Sequence, residues 1–164
     1  MLDVALLSLG LLAGEVSDVR IKVFGEGCLA ETPVSRDRLA TLARRKGWPQ
    51  GQADTPANLE WRDYYRAGDA IIRLDQHRAS DVNPGERICV VFVGPAPDNW
   101  TDQVSNLRSG GARIGAPGSY DAEVYELPPG LDLVVWDLPD GSRIHALKTP
   151  EDVLELSVNY PAGN

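Results

Sequence analysis

The amino-acid sequence predicts an α+β fold: N-terminal helices plus one strand, then a C-terminal antiparallel sheet of three to four strands closed by a short helix. Three observations carry that expectation. SRDRLATLARRKG opens with Ser35, carries Asp37 in its first turn, repeats Leu39, Leu42 and Ala43, and ends in Arg44-Arg45-Lys46 before Gly47. A capping serine, acid first, base last and a terminal glycine match the helix dipole and the usual helix stop. RICVVFV, from Arg87 to Val93, is a continuous β-branched apolar run followed at once by GPAP, as expected of a strand buried on both faces. LDLVVWDL and SRIHAL, from Leu131 to Leu147, are two further runs joined by the tight turn PDG.

The other elements follow in chain order. Val4 to Ala13 is apolar on every side and fits a buried helix or a buried strand, which periodicity cannot separate. With no basic residue before it and too few residues to cross a bilayer, it is expected to be buried structure rather than an export signal or a membrane span. DVRIKVF alternates Val19, Ile21 and Val23 with Arg20 and Lys22, the period of a half-buried strand. Thr55-Pro56 supplies an N-cap and a proline at the first helical position, so a second helix is expected to reach Arg66 and stop at Gly68. Its Leu59, Trp61, Tyr64 and Tyr65 cannot share one face at roughly 100° per residue. Some of that surface must stay exposed or be covered by AIIRL, a short strand after Gly68. NWTDQVSNLRS is expected to be a short helix ending at Gly110-Gly111, and ARIGAPGSY to be irregular. AEVYEL and the PPG turn lead into the C-terminal hairpin, and Thr149-Pro150-Glu151-Asp152 is expected to cap the closing helix through Val153, Leu154 and Leu156.

The hairpin register can be read from its turn. Pro139 presets φ, Asp140 suits the next position, and Gly141 takes the positive φ that closes a bulged turn. If Leu138 faces Ser142, the pairs are Asp137 with Arg143, Trp136 with Ile144, Val135 with His145, Val134 with Ala146 and Leu133 with Leu147. Trp136, Ile144, Val134 and Ala146 then form the core face. Asp137, Arg143 and His145 form the other, with no Ser or Cys nucleophile placed beside them.

At 164 residues and 43% hydrophobic content the chain is expected to be one α+β domain, residues 1–164. Up to Arg78 there are 11 basic and 11 acidic side chains; from Ala79 there are 5 and 13, so the whole net charge of −8 comes from the second half. An excess of that sign repels phosphate backbones and anionic lipid, which argues against nucleic-acid and membrane partners. Cys28 and Cys89 are too few for a disulfide framework, and Cys89 inside ICVVFV reads as a small hydrophobe, which points to a reducing, cytoplasmic setting. Cys28, His77, Cys89 and His145 show no metal-ligand spacing, and the nucleotide, metalloprotease and hydrolase motifs are absent, so neither metal nor cofactor is expected.

DYYRAG at 63–68 and YDAEVYELPPG at 120–130 resemble the mono-ADP-ribosyltransferase pattern, in which an arginine on an early strand holds NAD and a glutamate beginning a late strand is catalytic. The resemblance implies Arg66 as the NAD-holding arginine and Glu123 as the catalytic acid, with Asp121 two residues earlier. It spans fewer than twenty residues, and the middle Ser-Thr-Ser strand of that family has no counterpart. The stronger expectation is a non-enzymatic module docking a basic protein, of the inhibitor, immunity or assembly-subunit kind. Its expected contacts are Trp100, Asp102, Asp121, Glu123, Glu126, Asp137 and Asp140, with Trp61 and Tyr65 as a second patch.

Overall fold

The computed structural model describes residues 15–81, 84–118 and 127–161. It is a mixed α+β fold built on one antiparallel sheet. The helices α1 (Val19–Phe24) and α2 (Arg36–Lys46) flank a π-helical turn, Gly25–Leu29, and α3 (Trp100–Ser105) follows the third strand. The strands are β1 (Leu59–Ala67), β2 (Ala70–His77), β3 (Arg87–Pro95), β4 (Arg108–Ser109), β5 (Ala112–Arg113), β6 (Asp132–Asp137), β7 (Arg143–Lys148) and β8 (Val153–Tyr160). Six of them form a sheet in the order β1-β2-β3-β8-β7-β6, and β4-β5 is a separate two-stranded ribbon.

Several expectations hold. Ser35 Oγ accepts from the Arg38 amide, and Gly47 ends α2 at φ 69°. The β6–β7 pairing runs from Asp137 with Arg143 through Leu133 with Leu147, in the register read from the turn. Gly141 sits at φ 85°, and Asp140 Oδ1 accepts from the Ser142 amide at 2.9 Å.

Four elements differ from expectation, each for a physical reason. Val19–Phe24 is a helix, not a strand: Asp18 caps it by accepting from the Arg20 and Ile21 amides at 2.8 and 3.3 Å. Ile21, Phe24 and Cys28 then fall on one buried side at helical spacing. Leu59–Ala67 is a strand, not a helix, because Leu59, Asp63, Tyr65 and Ala67 alternate inward; the aromatic residues that fit no single helix face fit a strand. The closing helix is instead β8, whose Leu154, Leu156, Val158 and Tyr160 are buried in strict alternation. Ala112–Arg113, expected to be irregular, pairs with Arg108–Ser109 across Gly110 and Gly111. The apolar run 4–13, residues 122–126 of the expected AEVYEL strand and the acidic residues Asp121, Glu123 and Glu126 lie outside the described residues.

The helices cover one face of the sheet. Ile21, Phe24, Leu29 and Leu39 pack with Ile72, Leu74, Val91, Trp136, Ile144 and Leu156 in a single core. Gly27 permits this contact, since a Cβ there would run into Ile72. Tyr160, 1% exposed, donates its hydroxyl to the Cys28 carbonyl, and Trp136 Nε1 donates to Ser105 Oγ at 3.2 Å.

The cysteines correct a further expectation. Cys28 in the π-helical turn and Cys89 on the inner face of β3 form a disulfide, closing 61 residues of chain. Neither is a free thiol.

Candidate functional site

Among the described residues no helix lies on the opposite face of the sheet. Val90 and Val135 are buried there, yet they stand apart from the main core. Cross-strand pairing arranges this face in three rows. The central row reads Tyr64, Arg73, Val90, Ser157, His145, Val135 from β1 to β6. On one side run Arg62, Asp75, Ile88, Asn159, Arg143 and Asp137. On the other run Arg66, Ile71, Phe92, Glu155, Leu147 and Leu133.

The middle of this face disfavours charge. Burial pushes the His145 imidazole below its ordinary value of 6.5, and the Arg143 guanidinium adds to that push, while Asp137 and Glu86 oppose it. Glu155, two rungs away, is pushed above the ordinary carboxylate value by burial, with Arg73 opposing. Burial thus acts against the charged form of both side chains. Charged side chains stand to either side, Arg62, Arg66 and Arg73 with the buried Asp75 on β1 and β2, and Asp137 with Arg143 on β6 and β7. A strip of low charge over β8, β7 and β6 with charged groups to either side resembles the anatomy of a protein–protein contact surface.

A pH dependence follows for His145. Its folded-state value is depressed, so its contribution to stability is complete above about pH 6.5 and is lost as pH falls below that, while the unfolded chain takes up the proton more readily. His145→Gln should therefore flatten the fall in the urea midpoint between pH 7 and pH 5; an unchanged slope would assign that fall to other groups.

The register places Ser157 directly across from His145, a hydroxyl missed in the sequence because residues 153–156 resembled a capped helix. Among the described residues no hydrogen bond joins His145 to Ser157 or Asp137. Asp137 Oδ1 instead accepts from Arg143 Nε at 2.6 Å. The row is thus not assembled as nucleophile, base and orienting acid.

Those of the expected contact residues that are described do not form one patch. Trp100 and Asp102 belong to α3 in the helical layer, where Trp100 packs against the core and Asp102 is exposed. Asp137 is exposed on the opposite face, and Asp140 occupies the β6–β7 turn. Burial pushes the Asp140 carboxyl up, but the Ser142 amide and hydroxyl and the Thr32 hydroxyl hold it, on balance, below its ordinary value. It shapes the turn. Tyr65, 5% exposed, is a core residue. Trp61 is half-buried beneath two guanidiniums, with Arg36 Cζ 5.1 Å and Arg87 Cζ 5.7 Å from its ring centroid. Arg36 also forks onto the buried Asp63, with contacts of 2.5 and 2.9 Å. Trp61 and Tyr65 are therefore built into the scaffold, not a free aromatic patch. Arg66 is exposed on β1, and Asp121, Glu123 and Glu126 lie outside the described residues.

Among the described residues no three His, Cys, Asp or Glu gather as metal ligands. No described helix is long and apolar enough to cross a membrane. The chain matches no protein-family model, no curated protein and no solved structure.

Proposed function

We propose that the protein is a non-enzymatic binding module that docks a basic protein partner over the β6–β7 side of the open sheet face. One observation carries the reading. From Leu131 to Asp152 five carboxylates stand against two basic side chains, and both basic groups are already engaged: Arg143 with Asp137 at 2.6 Å and Lys148 with Asp152 at 3.0 Å. Asp132 and Glu151 make no ion pair among the described residues; Asp132 is exposed at the start of the edge strand β6, in the row of Val134 and Trp136, and Glu151 is exposed in the turn between β7 and β8. Both lie at one end of these strands, beside the open face rather than on it. Opposite charge on a partner would speed encounter and set orientation, while the half-buried Leu133, Leu147 and His145 of that face would hold the complex. An inhibitor, an immunity-type factor or an assembly subunit all fit this surface.

The cytoplasmic expectation rested on free thiols, and the buried disulfide removes that support. We place the protein in an oxidising compartment, where such a bond persists.

The test is capture of a partner from native extract, followed by association kinetics. Asp132→Asn with Glu151→Gln should slow association severalfold at low salt and leave it nearly unchanged in 0.5 M salt, where exposed charges about 3–4 Å beyond contact are screened. A captured partner with an acidic surface, or equal effects at both salt concentrations, would overturn the reading. The enzymatic alternative gains one observation, since Arg66 stands on a strand as the ADP-ribosyltransferase resemblance requires. NAD hydrolysis abolished by Glu123→Gln would establish it instead.

A further inference from the structure

We propose that the cleft between the π-helical turn and the β4–β5 ribbon binds a medium-chain carboxylate, its chain over Val16, Ala30 and Leu107 and its carboxylate between Lys22 and Arg108. This site lies in the helical layer and is independent of the partner surface on the sheet.

The cleft is an open groove of about 440 Å³, within the size range of small-molecule sites, and its lining is mainly apolar. Close packing forms its floor: a Cβ on Gly25 would come within 2.8 Å of Leu107. The charge at its mouth is opposite in sign to that of the chain. Glu26 lies on the lining, but its carboxylate is taken by Lys46 Nζ at 2.7 Å. Lys22 makes no ion pair among the described residues. Arg108 Nη1 donates to the Gly111 carbonyl at 2.7 Å, which steadies the guanidinium while its other donors remain available. Two cations beside an apolar wall, in a protein of net charge −8, select an anion with a hydrocarbon body. Asn106, on the same lining, holds a buried side-chain oxygen without a donor; the carboxylate itself offers only acceptors, so a water carried in with it is what satisfies this group.

The experiment titrates sodium octanoate into the full-length protein and follows backbone amide shifts by NMR, with 1-octanol and octyltrimethylammonium as comparison probes. Octanoate should shift amides of 22–30 and 106–111 in a saturable manner, octanol should bind more weakly, and the ammonium should not bind. Lys22→Gln with Arg108→Gln should weaken octanoate roughly tenfold while the circular dichroism spectrum stays native. Ala30→Trp should fill the cleft and abolish the shifts. Equal binding of octanol, shifts mapping elsewhere, or undiminished affinity in the double variant would overturn the proposal. So would occupation of this face by a second copy in sedimentation, or by phosphatidylglycerol vesicles in co-sedimentation, with octanoate inactive.

Discussion

Replacing Cys28 and Cys89 together by alanine lowers the stability of the fold by about 4 kcal/mol, the expected cost of freeing a loop of 61 residues in the unfolded chain. The loop spans α2, β1 and β2, so the bond ties the helical layer to the middle of the sheet across half of the described topology. Both residues are fully buried, and alanine at each adds a small cavity to the lost constraint. The urea midpoint should fall accordingly, and the melting temperature by roughly 10 °C for a chain of this length. Dithiothreitol should move the wild-type protein to nearly the same midpoint and leave the double variant where it is. A wild-type curve indifferent to reductant would show that the thiols are not joined, and would restore the reducing compartment expected from the sequence.

Asp75→Ala is the second large effect, expected to destabilise the fold by about 3–5 kcal/mol. The carboxylate is 3% exposed although it sits on the open face. Arg62 forks onto it, Nε to Oδ1 at 2.7 Å and Nη2 to Oδ2 at 2.8 Å. Arg73 Nε stands 3.0 Å from Oδ2 but lacks hydrogen-bond alignment. Removing the acid leaves two guanidiniums close together on β1 and β2, each only partly hydrated, with no anion between them. The damage comes from that stranded positive charge more than from the lost contact, so Asp75→Leu combined with Arg62→Leu should recover much of the loss. Chemical denaturation of the two variants decides it: equal instability in the single and double variants would mean that shape, not charge balance, governs the site.

Much of the architecture was legible wherever local chemistry and tertiary packing agree. Ser35, Asp37 and Gly47 mark α2 because a helix end has orphan backbone groups wherever it lies. Pro139, Asp140 and Gly141 imply the hairpin register because a turn's φ values decide which residues oppose each other. Signals were misread where two periods overlap in a short segment. Thr55-Pro56 and Thr149-Pro150 look like helix caps, yet LEWRDYYRA and VLELSVNY alternate with period two, and sheet pairing on one or both sides outweighs the cap. DVRIKVF errs in the opposite direction: six residues fit either period, and the buried partners of Ile21 and Phe24 choose the helix.

The candidate site was less legible than the fold. Misplacing β8 hid Glu155, Ser157 and Asn159, so the open face could not be assembled from the sequence. Alternation of Leu154, Leu156, Val158 and Tyr160 was the signal that could have found them. Trp61 and Tyr65 were expected at a surface, but whether an aromatic ring is free depends on what covers it, here Arg36, Arg87 and the core.

By itself the sequence determined the α+β class, the helix α2, the β6–β7 register and the excess of acid after Ala79, all of which follow from neighbours along the chain. Only the tertiary structure decided the six-strand order, the Cys28–Cys89 bond, the burial of Asp75 and which side chains share the open face. Each of those depends on residues tens of positions apart meeting in space, and burial, pairing and solvation are properties of that meeting rather than of either residue.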